Sequence, residues 1–176
     1  MRGKGIGKKL VARRITQAYK RNQCLLVIRC KPSSSIPFWK SMGFTVFNSG
    51  NGDSYGYRIL EKKHEFPSEA IPISVAIRFF PEERMWKDDV PALSVAAPCA
   101  VYTSDGVVHL GERVFFLEAI HPNAQDPVIE IEIEGQVVFC SKAKYKEAQR
   151  AGVHSCTNGF YADQISPQAF SNDSDA

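Results

Sequence analysis

The chain carries no aspartate or glutamate before Asp53. An acidic metal site or a carboxylate acid–base pair is therefore excluded from its first 52 residues. No apolar run approaches the eighteen or so residues that a membrane-spanning helix needs. The first residues also lack the apolar segment and small-residue cleavage site of a secretory leader, so a cytoplasmic protein is expected. Cysteine is sparse. Cys24, Cys30, Cys99, Cys140 and Cys156 contain no C-x-x-C pair, and they read as reduced, small buried hydrophobes rather than disulfides or zinc ligands. His64, His109, His121 and His154 have neither i, i+4 spacing nor cysteine neighbours, so no metal is expected.

What is present is unevenly distributed. The 176 residues are 44% hydrophobic and 23% charged, ordinary values for one domain or two small ones. A net charge of +3 conceals eleven of the 22 lysines and arginines in residues 1–52, without a single acid. Such a segment implies an anionic partner: a polyphosphate cofactor, a nucleic acid or an acidic protein surface.

The most informative stretch is Met1-Arg2-Gly3-Lys4-Gly5-Ile6-Gly7-Lys8-Lys9-Leu10. Glycines let a ligand approach the main chain because no Cβ intervenes. Helical periodicity begins directly afterwards: Ile6, Leu10, Val11, Ile15, Ala18 and Tyr19 mark a helix over 6–21. The free amides and positive dipole end of such a helix point back at the loop and make a seat for phosphate. Next, Leu25 to Ile28 lies in a continuous apolar run, expected as a strand buried on both faces in a parallel sheet. Pro37 suits the first turn of a short helix whose apolar side is Phe38, Trp39 and Met42, with Gly43 after its end. Residues 44–60 read as a hairpin.

Two motifs in this segment resemble those of the GNAT family of N-acetyltransferases. Arg2-x-x-Gly5-x-Gly7 is similar to that family's acyl-CoA pyrophosphate signature. Phe38-Trp39-Lys40-Ser41-Met42-Gly43-Phe44 is similar to its second hallmark, an aromatic pair followed by a hydrophobe, Gly and Phe. The resemblance covers about residues 1–60. It implies that acetyl-CoA is the co-substrate and is held by Arg2, Gly3, Lys4, Gly5, Ile6, Gly7 and Lys8, with Lys9 adding charge. It also implies direct attack by an amine, without a covalent enzyme intermediate. Trp39 stands where the family often has a general-acid tyrosine, and an indole cannot give up its proton near neutral pH. Catalytic residues and the amine acceptor are therefore unassigned. The family's first strands would precede the loop. The segment is thus expected to be a truncated half of a catalytic domain, inactive alone, completed by the C-terminal region, a second copy in a homodimer, or a partner chain. The alternative is a non-catalytic module whose basic helix meets an acidic partner or nucleic acid.

The remainder has a different character. Ile73 to Phe80 is strand-like, and Ser104-Asp105-Gly106 signals a hairpin. Val128 to Glu134 alternates strictly, with Glu130, Glu132 and Glu134 expected on a solvated face. A helix is expected from Ser141 through Arg150. The predicted fold class is mixed α+β: a partial GNAT α/β unit of helix, strand, helix and hairpin over 1–62, a linker over 63–70, a small antiparallel barrel or sandwich over 71–165, and a disordered tail over 166–176.

Overall fold

A computed structural model describes residues 5–21, 23–48, 52–66, 68–118, 121, 124, 126–156 and 159–167. The chain divides into two units, Met1–Glu61 and Lys62–Ala176.

In the first unit, helix α1 (Ile6–Lys20) leads to strand β1 (Leu25–Arg29), helix α2 (Ile36–Ser41) and strands β2 (Thr45–Asn48) and β3 (Ser54–Ile59). Pro37 sits in the first turn of α2, where a missing N–H costs nothing. Gly43 follows α2 at φ +78°, a conformation glycine takes without steric penalty. The Arg58 guanidinium lies against it and donates to the carbonyl of Met42, which caps the C-terminal end of α2. Strands β2 and β3 form the expected hairpin, with Thr45 opposite Tyr57 and Asn48 opposite Ser54.

The parallel arrangement expected for β1 is not what forms. Its neighbour is β3, and the pairing is antiparallel, from Leu25 opposite Ile59 to Arg29 opposite Tyr55. The sheet order is β1-β3-β2, which leaves β1 at an edge. Leu25, Leu26 and Ile28 are half-buried, while Val27 is 40% exposed. An apolar run signals burial but does not specify the direction of its neighbour.

The second unit contains β4 (Ile71–Ile73), β5 (Val75–Phe80), β6 (Ser94–Ala96), β7 (Ala100–Tyr102), β8 (Val108–Leu117), β9 (Val128–Ile133), β10 (Gln136–Lys142), α3 (Lys146–Arg150), β11 (Val153–Cys156) and β12 (Gly159–Ile165). They make a four-stranded sheet, β10-β9-β5-β6, and a five-stranded sheet, β11-β12-β8-β7-β4. The two share a core in which the Phe79 ring stacks on Phe116 at 4.7 Å. All named pairings in the chain are antiparallel.

The mixed α+β expectation with a GNAT α/β unit is therefore corrected. The described residues are predominantly strand, arranged in three antiparallel sheets with three α-helices. Three local expectations change as well. The segment read as a linker is tied to β8: Lys63 bridges Glu112, and the His64 amide donates to the Gly111 carbonyl at 2.9 Å. The helix expected from Ser141 is only α3, because β10 continues to Lys142 through its pairing with Val128. Cys99 and Cys140 are exposed rather than buried, and only Cys30 is fully interior; all five cysteines are free thiols. No helix among the described residues is long and apolar enough to cross a membrane.

Candidate functional site at the start of α1

Gly5 is the residue from which α1 departs, at φ +66° and ψ 8°. Its carbonyl accepts the Lys9 amide at 3.1 Å, the first bond of the helix. The amides of Ile6, Gly7 and Lys8 precede any possible i−4 partner within α1. Among the described residues no side chain caps them, and no acid lies in the first turn. Residues 5–10 are all exposed. The positive end of a fifteen-residue helix dipole therefore meets solvent beside Lys8 and Lys9, an arrangement that attracts anions.

The structure brings the two sequence motifs together. A Cβ added at Gly7 would lie 3.5 Å from the Phe38 ring. The first turn of α1 thus rests near α2. Phe38 meets Trp39 edge-on at 5.1 Å, and Trp39 meets Phe44 in the same way at 5.3 Å. Trp39 is part of an aromatic row supporting α2. Of the residues assigned to the cofactor loop, Gly5, Ile6, Gly7 and Lys8 are placed as described, while Arg2, Gly3 and Lys4 lie outside the described residues.

A cleft of about 370 Å³ in this unit is lined by Tyr19, Gly43, Thr45, Tyr57, Arg58, Ile59 and Glu61. Tyr19 stands thirteen residues beyond Ile6 on one helix, which corresponds to about 20 Å along its axis. The cleft thus opens beside the other end of α1 and does not adjoin the glycine turn. Asp53, the unit's first acid, is engaged by Arg29 and Lys31. The Arg29 hydrogen bond is the main cause that holds its carboxyl below the ordinary range, although burial opposes it.

Two charge clusters in the second unit have no sequence motif. In the first, Arg113, with its side chain 1% exposed, donates from Nε and Nη2 to the two oxygens of Asp163 at 2.6 Å each. His64 Nε2 lies 3.4 Å and Lys62 Nζ 3.8 Å from the same carboxylate. Burial by itself would raise the pKa of Asp163, but the Arg113 bonds and the nearby cations outweigh it and hold that pKa below the usual value. The Arg113 guanidinium also covers the Tyr161 ring at 4.7 Å.

The second cluster corrects the reading of the glutamate row. Glu130 is buried, not solvated. It accepts from Arg84 Nη2 at 2.8 Å and Arg78 Nη1 at 3.3 Å, and Arg78 also holds Glu132 at 2.7 Å. Arg84 comes from a 3-10 turn, Glu82–Met85, that Lys142 anchors through Glu82. Alternation in β9 marked two faces correctly but could not reveal that this turn covers the polar one. Although Cys140 keeps exposed surface, partial desolvation by its neighbours, reinforced by Glu130 and opposed by Arg84, pushes its thiol up from the ordinary value. The partners in both clusters lie from 46 to 101 residues apart, so no local pattern could have joined them. No group of His, Cys, Asp and Glu suited to a metal ion is present among the described residues.

No family model matches this chain, and neither a curated protein nor a solved structure matches it.

Proposed function

We propose that the start of α1 binds the pyrophosphate of acetyl-CoA in support of acetyl transfer to an amine. One observation carries the reading. A left-handed glycine opens a long helix whose exposed first turn meets no capping side chain and no acid among the described residues and carries Lys8 and Lys9 beside it. Main-chain donors of this kind match phosphate oxygens, and the helix dipole adds to their attraction. Gly5, Ile6, Gly7 and Lys8 would hold the phosphates, with Arg2, Gly3 and Lys4 extending the seat. The resemblance of this loop and of the Phe38–Phe44 segment to acetyltransferase motifs supplies the acyl group and the acceptor class. In the reaction the amine nitrogen forms a bond to the thioester carbon and the carbon–sulfur bond breaks. The proton lost by the amine balances the departing thiolate.

A thermal-shift titration tests the binding step. Acetyl-CoA at a hundred times its Kd is expected to stabilise the native protein by about 2.7 kcal/mol through mass action. A Cβ at Gly5 meets nothing within 4 Å, so substitution there changes conformation and charge without a clash. Gly5→Asn, which tolerates the left-handed region, is expected to retain the shift, whereas Gly5→Glu is expected to abolish it. No shift of the wild type with millimolar acetyl-CoA would remove the reading.

A further inference from the structure

We infer that the outward stripe of α1 is a docking surface for the phosphodiester backbone of a nucleic acid. Along the helix, Lys9, Arg13, Thr16 and Lys20 follow i, i+4, i+7, i+11 spacing, and all four are exposed. Val11, Ile15 and Ala18 are the partly or fully buried apolar positions of the same helix, with Gln17 partly buried beside them. At about 100° per residue the cationic stripe lies roughly opposite them. The apolar stripe supports the fold, and the basic one points away from it.

Two features separate this stripe from an ordinary solvated helix face. Charged faces usually interleave acids with bases three or four residues apart, because such pairs stabilise a helix. Here like charges occupy i and i+4 at Lys9 and Arg13, an arrangement that costs stability until an anion relieves it. Among the described residues, no lysine or arginine of α1 joins an ion pair. The surrounding charge points the same way. Residues 1–61 hold twelve lysines and arginines against two acids, whereas residues 62–176 hold ten against seventeen. The positive field belongs to one unit and is not a property of the whole chain.

Nucleic acid fits the stripe better than the other polyanions. From Lys9 to Lys20 the cations span about 16 Å, and duplex DNA offers one charge per about 1.7 Å of its axis. The stripe positions include no apolar residue that would anchor a protein partner. A membrane surface would require a continuous apolar face along the helix, whereas Val11, Ile15 and Ala18 are turned into the fold and the exposed Ile6 and Leu10 are confined to its first two turns, with Tyr19 at the other end. Contacts of this kind recognise phosphate and carry no base sequence.

Fluorescence anisotropy with the full chain tests the inference. The probes are a labelled 20-base-pair DNA, the matching RNA duplex and a single-stranded RNA, titrated between 50 and 200 mM salt. Three neutralised phosphates predict a slope of log K against log salt of about −2.7 on the DNA duplex. Arg13→Gln/Lys20→Gln is expected to bring that slope to about −1 and to weaken binding at least tenfold at 50 mM salt, with circular dichroism unchanged. Arg13→Lys/Lys20→Arg is expected to preserve both. The relative affinities of the three probes then identify which nucleic acid supplies the phosphates. Absence of binding to all three at 50 mM salt would overturn the inference, as would a slope that the Gln variant leaves unchanged. Binding to poly-glutamate or anionic vesicles with none to nucleic acid would also overturn it, assigning the stripe to an acidic protein or a membrane. Arg13 and Lys20 lie outside the proposed cofactor seat, so loss of nucleic-acid binding and loss of the acetyl-CoA shift are separate results.

Discussion

The two units solve the same problem, burying apolar residues, with unequal means. In residues 62–176 two sheets enclose Phe79, Phe116, Ile77, Leu110, Ile129 and Ile131, all nearly inaccessible to solvent. Among the described residues of 1–61 the buried apolar side chains are Ala18, Cys30, Phe44, Tyr57 and Leu60. Helix α1 leaves Ile6 and Leu10 more than half exposed. Charge is handled just as differently. The second unit closes its arginines onto carboxylates, as Arg113 does with Asp163 and Arg84 with Glu130. The first leaves the cations of α1 open. Stability is concentrated where surface has been removed from water, and binding potential where it has not.

The largest expected effect falls on the stacked ring pair. Phe116→Ala removes the partner of Phe79 and the ring against which His121 stacks at 4.9 Å. A cost of about 3–5 kcal/mol is expected, read as a lower urea midpoint for the second unit's own probes. A midpoint that scarcely moves would break the contrast between the units.

Asp163→Asn comes next, at roughly 3 kcal/mol, because it leaves the Arg113 charge buried without its counter-ion. This effect depends on pH with a definite sign. The folded pKa of Asp163 lies below its unfolded value, so the carboxylate's contribution is fully present above about pH 4. It is lost as pH falls through the depressed folded value. Acid titrations of the wild type and the Asn variant are therefore expected to converge at low pH and to diverge above it.

A matched pair of substitutions sharpens the comparison at smaller scale. Val128 is wholly buried and Val11 only partly so. Val128→Ala is expected to cost about 2 kcal/mol and Val11→Ala less than about 1 kcal/mol, measured by chemical denaturation. Hydrogen exchange is expected to rank the amides similarly, with α1 opening before β8 and β9. The smallest effect belongs to Leu10→Lys. At 63% exposure this position is expected to change stability by no more than about 0.5 kcal/mol in the same assay.

Local features were the most legible in the sequence. Periodicity over 6–21 is matched by Ile6–Lys20, Pro37 opens a short helix, and Ser104-Asp105-Gly106 lies between paired strands. Each depends on neighbours a few residues away. The glycine turn was legible for the same reason, since a loop that enters a helix carries its own chemistry. Pairings between distant strands were not. Leu25 to Ile28 has the composition of an interior parallel strand but lies at the edge of an antiparallel sheet. Glu130 alternates as a surface residue should, yet Arg84, forty-six residues earlier in the chain, covers it.

The sequence by itself determined the periodicity of α1, the basic character of the first third, and the placing of a glycine directly before that helix. These follow from side-chain spacing and backbone freedom, which act over a few residues. Only the tertiary structure decided that β1 pairs antiparallel, that Glu130 leaves solvent, and that Arg113, His64 and Lys62 converge on Asp163. Those outcomes depend on which surfaces meet after the chain has folded back on itself, and burial then sets whether a charge must find a partner.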